Sequence, residues 1–556
     1  MTAKGKPGAS LLQRNRRIAR STLTVMIAFA IAKLISLAQT LIIAQVFGVG
    51  PELDAYVAAN RIPELIVILI SGGALTHAFI PIFSAFLARG DLDAAWNLSS
   101  NLISTIFMLA LAISAIVFLL APWLVSNLVA PGFDPPTARN TVETMRILLL
   151  STIIFAISGI FSGILNSHQH FLLPALAPIM FDIGILAGVL FLLPRFGVHG
   201  IALGAVLGAA LHFSIQLPGL IRYRMKFRFE LCLNNPQLWR VIRLMLPRIG
   251  GLGVFSLNFL VMNNIASRLG VGSVSALDWG WRLMQIPQTL LGTAMGIVIF
   301  PTLAALSEMN DLTGKRDAMS GALRFILISS IPSAIGLIVL GRPLISLLER
   351  GAFDASASAL VYSTLSMFTL GLIVHSALEV IARSFYADQD TLTPLFAALG
   401  GAAINFIAAI LLSDARAVDA NAFLNSVTEI MPLAGLHREI GNVSGLALAN
   451  SLGVMFEVIT LLYILRRRWR GIGENALARA LLKTLVASLV MAAVIVLVDT
   501  LWLATIQNRG TSITIIRLLV EGAVGLAVFA IAALLLKMQE ISEFWAIIRR
   551  APTTEN

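Results

Sequence analysis

Cys232 is the chain's one cysteine in 556 residues, so no intrachain disulfide can form. Charge is scarce as well. Asp, Glu, Lys and Arg make up 12% of the chain, about half of what a soluble domain uses to cover itself, and a water-soluble globular protein is thereby excluded. No dinucleotide fingerprint, P-loop, zinc-ligand spacing or nucleophile elbow occurs. An ATP-driven pump needs a nucleotide-binding segment, and no polar stretch is long enough to supply one. Neither a resident cofactor nor a metal is expected. An enzyme is not expected either, because no nucleophile, metal set or pair of catalytic carboxylates emerges. Energy for any work is expected from an ion gradient, the membrane potential or a partner. Strand-length alternating segments are missing too, which excludes a barrel.

What the chain has instead is apolar length. Hydrophobic residues make up 58% of it, and mean hydropathy is +0.88. Windows of about 20 apolar residues recur, each able to cross a hydrocarbon core of roughly 30 Å. Their approximate centres are Ile35, Leu69, Ala110, Ile153, Leu186, Leu207, Phe255, Leu291, Ile335, Leu370, Ala403, Val454, Leu489 and Val528. The fold class is therefore an all-α polytopic membrane protein of about fourteen transmembrane helices.

The net charge of +11 would suit a nucleic-acid partner if it formed one patch, but it does not. Basic clusters lie at span ends, at Lys4 to Arg20, Arg222 to Arg248, Lys315 to Arg324, Arg466 to Lys483 and Lys537 to Arg550. Alternating spans put all of them on one side, with about 26 Lys and Arg there against about 9 opposite, and the positive-inside rule makes that side cytoplasmic. Both termini are then cytoplasmic. The apolar run from roughly Thr22 to Val46 is too long for a signal-peptide core and lacks a small-residue cleavage site, so it reads as a retained first helix.

The chain also repeats itself. Asn166-Ser-His-Gln169-His-Phe-Leu-Leu-Pro174 answers to Tyr386-Ala-Asp-Gln389-Asp-Thr-Leu-Thr-Pro394, 220 positions later. Pro81 with Pro301, and Phe133-Asp134 with Phe353-Asp354, keep the same offset. Gly48-Val-Gly50 answers to Gly270-Val-Gly272, shifted by two, and Gly200-Ile-Ala-Leu-Gly204 answers to Gly445-Leu-Ala-Leu-Ala449. An insertion near Asp414 to Asn442, the one long external loop, absorbs the later drift. The boundaries read as a basic tail (1–21), a first lobe of six spans (22–223), a linker (224–237), a second lobe of six spans (238–465), two further spans (466–538) and a second tail (539–556). Duplicated hydrophobic chains commonly build transporters whose site lies where the repeats face each other. Pro63, Gly72-Gly73, Pro174, Pro178, Pro247, Pro287, Gly292 and Gly296 interrupt the apolar runs, either as bending points for gating or as places of close helix packing. The two last spans are outside the repeat and serve either as packing or as an added lipid-facing groove.

A charge near mid-bilayer costs at least about 2.5 kcal/mol, so each should face a cavity or a partner. Lys33, Ser36 and Thr40 share a face of the first span, with Gln39 about 120° around it. Asp54, Arg61 and Glu64 share a face of the second, where Asp54 either caps the helix or lines a cavity. The eighth span carries Asp278 and Arg282 at the spacing of a helical ion pair. In one reading Arg61 and Arg282, each shortly before a proline, border an inter-lobe cavity suited to an anion such as a diphosphate, because Arg offers a fork of donors to phosphate oxygens. In the other, Arg61 with Glu64 and Arg282 with Asp278 are structural pairs. Asp182, Glu379, Arg383, Glu457 and Glu521 are weaker candidates, with Arg383 expected to snorkel to the cytoplasmic face.

These residues carry a resemblance. Phe47-Gly-Val-Gly-Pro-Glu-Leu-Asp54-Ala-Tyr56, Ala78-Phe-Ile-Pro81, Ala130-Pro-Gly-Phe133, Leu165-Asn-Ser-His-Gln169 with Pro174 to Pro178, and Leu246-Pro247 come in a fixed order. Gly272-Ser-Val-Ser-Ala-Leu277, Trp281-Arg282-Leu283, Ile299-Phe-Pro301 and Phe385 to Pro394 follow them. The chain resembles the MurJ (MviN) lipid II flippases of the MOP exporter superfamily along almost its whole length. The resemblance implies export of a polyprenyl-diphosphate-linked peptidoglycan precursor across the bacterial cytoplasmic membrane by alternating access. It implies a headgroup cavity between the lobes in which Asp54, Arg61 and Arg282 match family positions, and a lipid-tail groove at the last two helices. Together with Lys33, Gln39, Asp278 and Glu64 on the polar faces above, these three are the candidate site residues. The implied partners are a lipid-linked glycan, membrane lipids and cell-wall synthesis proteins, with no nucleic acid.

Departures from the family pattern are concentrated in the cavity. Two arginines of the first span read Lys33 and Gln39, and Thr40 replaces the aspartate after them. A second-span arginine reads Val67, and a Glu-Gly pair reads Gly72-Gly73. Trp281 stands where the arginine's acidic neighbour is expected, with Asp278 one turn earlier as a substitute. The cations thin to Lys33, Arg61 and Arg282. Two alternatives stay open: a scaffold in a wall-assembly complex that no longer transports, and a multidrug-type antiporter on the same plan.

Overall fold

The structure, a computed structural model, describes residues 35–36, 38–70, 73–232, 234–413, 443–505 and 510–538, without the side chains at 73–77, 246–249 and 251–252. Lys33, Gly72, the Pro247 side chain, the Asp414 to Asn442 loop and both tails lie outside the described residues. Every regular element among the described residues is helical, as a bilayer requires of backbone that cannot bond to water. The helices are α1 (Ala38–Phe47), α2 (Pro51–Ile70), α3 (Gly73–Arg89), α4 (Leu92–Val129), α5 (Pro135–Ser167), α6 (Leu172–Phe196), α7 (His199–Arg222), α8 (Pro236–Ala266), α9 (Ser273–Glu308), α10 (Leu312–Ser346), α11 (Ala355–Ala387), α12 (Leu392–Ser413), α13 (Val443–Arg468), α14 (Glu474–Thr505) and α15 (Thr511–Leu535). Eleven of these, α4 to α7 and α9 to α15, are long and apolar enough to cross a membrane. Each holds one expected span centre. The other centres fall at Ile35 just before α1, at Leu69 in α2 and at Phe255 in α8.

Helix starts and stops follow from local chemistry. Asp91 and Asp311 cap α4 and α10 by accepting from the amides of Ala94 (3.0 Å) and Gly314 (2.9 Å). Asp354 caps α11 from Ala357 N–H at 2.8 Å. The Ala357 amide and the Ser356 hydroxyl hold its carboxyl below the usual carboxylate range. Asp134 holds the same place before α5 but makes no side-chain cap bond, and Pro135 and Pro136 supply no N–H there. The turns after α5 and α11 end in Gln169 (φ 57°) and Gln389 (φ 59°), the left-handed residue that lets late helix carbonyls find donors.

The described residues divide into two compact units, with the boundary at Leu260 and Val261. In the first, α5 is central and packs on α2, α4 and α7; 56% of its apolar window is buried. In the second, α11 takes that part against α9, α10 and α13, with 67% buried. Leu92 and Leu312, Pro135 and Ala355, and Leu172 and Leu392 open paired helices at one common offset, so the repeat read in the sequence is a repeat of elements. Glycines let backbones touch: a Cβ at Gly184 or Gly188 of α6 would collide with Gly208 or Gly204 of α7. Gly401 of α12 meets Gly453 of α13 in the same way. Such small-residue contacts replace a hydrophobic driving force that lipid cannot provide.

Helices α14 and α15 pack on each other and on α10, through Ala487, Met491, Ile495 and Phe529 against Ile328, Ile335 and Val339. Their windows are only 28% and 22% buried, so most of their surface faces outward. Between them Arg517 of α15 pairs with Asp499 of α14 and, at 2.9 Å, with the fully buried Glu521 of its own helix.

Candidate substrate site

In the second unit the site begins at α9. Gly280 lies against α11, where a Cβ would collide with the Thr364 hydroxyl and stand 2.9 Å from the Leu365 nitrogen. Thr364 Oγ1 in turn donates to the Ala276 carbonyl at 2.8 Å. These contacts fix the rotation of α9 and thus the direction of its charged face. Asp278 is buried at 9% exposure and accepts from Arg282 Nε at 2.5 Å, while the Arg282 side chain is 60% exposed. The aspartate is the anchor and the guanidinium the reachable part. One turn of helix separates them, as the spacing predicts.

Trp281, at the position where a carboxylate was expected from the resemblance, turns its ring edge-on to Phe368 (5.4 Å) and His375 (5.3 Å) of α11. His375 is buried and shares a 3.1 Å hydrogen bond with Asn450 of α13. Trp281 is therefore packing, and Asp278 supplies the carboxylate. Farther along, Glu379 and Arg383 of α11 form an ion pair. Thr293 Oγ1 (3.3 Å) and Gln288 Nε2 (3.5 Å) donate to the same carboxylate from α9. Arg383 also donates to the Glu379 carbonyl, and its guanidinium fills the space that a side chain at Gly296 would take. Pairing and a glycine notch hold it, rather than the simple snorkelling its position in the sequence suggested.

In the first unit the geometry is more closed. Asp54 is 1% exposed and lies in the first turn of α2, where a carboxylate complements the helix N-terminus. Arg61 is 12% exposed, stands 3.8 Å from Glu64, and has its guanidinium 5.7 Å from the centre of the Phe259 ring. Glu64 is half-exposed, and Gln39 is buried at 9%. The structure thus brings Asp278 together with Arg282, and Arg61 with Glu64. Lys33 lies outside the described residues.

The sequence reading missed Asp499 and Arg517, although Arg517 and Glu521 have the same four-residue spacing as Asp278 and Arg282. It also missed His375 with Asn450, for which no local signal exists because they lie 75 residues apart. Among the described residues no cluster of His, Cys, Asp and Glu is placed to hold a metal.

Two helical units, each built on an equivalent buried helix and packed within itself through glycine contacts, define a multi-pass membrane transporter of the duplicated class. The chain belongs to the lipid II flippase MurJ family, whose model matches residues 43–521. It is 32% identical over 390 residues to "Lipid II flippase MurJ" of Burkholderia cenocepacia, covering 68% of this chain and 75% of that one. To "Probable lipid II flippase MurJ" of Rhizobium tropici it is 27% identical over 517 residues, covering 91% and 92%. Among solved structures, the inward closed conformation of lipid II flippase MurJ aligns with a TM-score of 0.75 at 25% identity, covering 93% of this chain and all of that one. An inward-facing multidrug MATE transporter of the MOP superfamily aligns with a TM-score of 0.65 at 15% identity, over 82% and 99%, and shares the fold.

Proposed function

We propose that the chain moves a polyprenyl-diphosphate-linked peptidoglycan precursor, lipid II or a near relative, across the bacterial cytoplasmic membrane by alternating access. Family membership over residues 43–521 carries this reading. Arg282 supports it chemically: held at Nε by a buried aspartate and 60% exposed, it offers a pre-oriented fork to phosphate oxygens. Asp278, Arg61, Asp54, Glu64, Gln39 and Lys33 are proposed to complete the headgroup site. Arg61 reaches a headgroup only after leaving Glu64 and Phe259, so it acts later in the cycle than Arg282.

No resident cofactor is needed. A diphosphate headgroup is an anion, and an inside-negative potential favours its outward movement by about 2.3 kcal/mol per charge per 100 mV. Both termini are placed in the cytoplasm by the bias of Lys and Arg, and cell-wall synthesis proteins are the proposed downstream partners. The scaffold reading keeps one observation in its favour: Gln39, Val67 and Trp281 occupy family charged positions while Arg61 is largely buried.

The test is rescue of a bacterium depleted of its own flippase. The wild-type chain restores wall synthesis, Arg282→Ala loses at least about tenfold of the transport rate as one charge-assisted contact is removed, and Arg282→Lys recovers part of it. Wild-type failure at normal membrane expression favours the scaffold, and full rescue by Arg282→Ala removes Arg282 from the site.

A further inference from the structure

The segment 226–232, between α7 and α8, has no regular secondary structure, yet it is tied to α4 at alternate residues. Ser100, Asn101 and Ser104 of α4 are buried at 2%, 1% and 0% exposure. The amides of Arg228, Glu230 and Cys232 donate to Ser100 Oγ (3.1 Å), Ser104 Oγ (3.1 Å) and Asn101 Oδ1 (3.2 Å). In return Ser100 Oγ donates to the Lys226 carbonyl at 3.2 Å, and Asn101 Nδ2 to that of Cys232 at 2.8 Å. Three short polar side chains on a helix thus do what a neighbouring strand would do, satisfying backbone groups at every second position.

Fixing the backbone at alternate residues sorts the side chains by a period of two. Phe227, Phe229 and Leu231 stand together and are 50%, 57% and 49% exposed. Lys226, Arg228 and Glu230 alternate with them, and Lys226 pairs with Asp93 at 3.0 Å. Arg222 and Arg224 precede the segment, and Arg240 and Arg243 follow it in the first turns of α8, all exposed. Trp239 and Leu244 beside them are also 47% and 50% exposed. Apolar side chains next to a surplus of cations and a tryptophan, at the end of membrane-crossing helices, form the composition of an interfacial anchor.

We propose that residues 226–232 are an interfacial strap that lies on the membrane surface. Phe227, Phe229 and Leu231 rest at the acyl boundary, and Arg224, Arg240 and Arg243 beside the segment bind anionic phospholipid headgroups. The strap couples local lipid charge to α4 through Ser100, Asn101 and Ser104, whatever cargo the protein carries.

Cys232 is the chain's one cysteine and its side chain is exposed, so a thiol-reactive fluorophore reports on the strap of the full, unsubstituted chain. In nanodiscs of mixed phosphatidylglycerol and phosphatidylcholine, nitroxide-labelled phosphatidylglycerol is expected to quench the dye several-fold more than nitroxide-labelled phosphatidylcholine. Arg224→Gln and Arg240→Gln should each bring that quenching ratio closer to one, and Phe227→Ser with Phe229→Ser should reduce quenching by both lipids. Equal quenching by the two lipids in the wild-type chain overturns the anionic selectivity. No quenching by either overturns membrane contact altogether and leaves the strap to a protein partner.

Discussion

After α5 the chain turns through His168, Gln169 and His170; after α11 it turns through Asp388, Gln389 and Asp390. The backbones share two closing bonds: Gln169 N–H donates to the Asn166 carbonyl and His170 N–H to that of Leu165 (both 2.9 Å), as Gln389 N–H does to Tyr386 and Asp390 N–H to Phe385 (both 3.0 Å). The side chains have taken different routes to the same closure. In the first turn His168 stacks on Tyr223 (4.2 Å, 6° between planes) and on Trp96 (6.0 Å), with Phe83 edge-on. In the second, Asp388 pairs with the buried Lys315 and accepts from Ser307 at 2.5 Å, while Asp390 pairs with Arg468 at 2.7 Å. Lys315 lies 5.2 Å from the Trp469 ring centre and Arg468 5.2 Å from that of Phe385. Duplication has preserved the conformation, which a left-handed glutamine and a late carbonyl suffice to fix, and has left the surrounding chemistry free to diverge.

The comparison can be broken most forcefully at Lys315. Lys315→Met leaves the Asp388 carboxylate without its partner and should cost about 3 kcal/mol, read as a drop in thermal midpoint in detergent. Adding Asp388→Asn should recover most of it; no recovery would mean that the lysine acts through packing alone. In the aromatic turn, Tyr223→Leu should cost less, about 1.5 kcal/mol, because a stacked pair is lost and no charge is stranded. Equal losses at the two sites would erase the distinction. Next come the caps: Asp91→Ala, Asp311→Ala and Asp354→Ala should each cost about 1 kcal/mol. Asp134→Ala, where no side-chain cap bond is made, should leave stability unchanged.

The smallest effect is a dependence on pH. Burial holds His168 and His170 below the ordinary imidazole value of 6.5, helped at His170 by the charge of Arg222. The unfolded chain therefore takes up protons first, and stability falls as pH drops from about 6.5 toward the lowered folded values. Burial tends to raise Asp390, but the Thr393 amide and hydroxyl with Arg468 outweigh it and hold it below its ordinary 3.8. Its contribution persists until pH falls through that lower range. Between these limits only the aromatic turn weakens. A His168→Gln, His170→Gln variant should lose less thermal stability over this interval than wild type, and parallel curves would refute the assignment.

Which features could be read without coordinates follows the same division. The repeat, the helical class and the pairing of Asp278 with Arg282 are local: apolar windows, a common offset and a four-residue spacing announce them. Arg61 was legible as a charge but not as a buried one, because Phe259 comes to it from a helix nearly 200 positions away in the chain. The role of Trp281 was hidden for the same reason, since Phe368 and His375 define it. Ser100, Asn101 and Ser104 gave no signal, as their partners are the backbone of a segment more than 120 residues later and any sequence could supply a backbone.

The ion pairs of the last two helices bear on how the protein is made. Asp499 in α14 and Arg517 in α15 are each costly to place in hydrocarbon alone, by about 2.5 to 3.5 kcal/mol on insertion scales. Only the few residues between Thr505 and Thr511 separate the two helices in the chain. Leaving the insertion machinery together as a hairpin, Asp499 meets Arg517 before it meets lipid; leaving alone, α14 would carry Asp499 unshielded, whereas Arg517 keeps Glu521 of its own helix. Asp499 is thus an instruction about order of assembly: it favours entry of the two terminal helices into the membrane as a single piece.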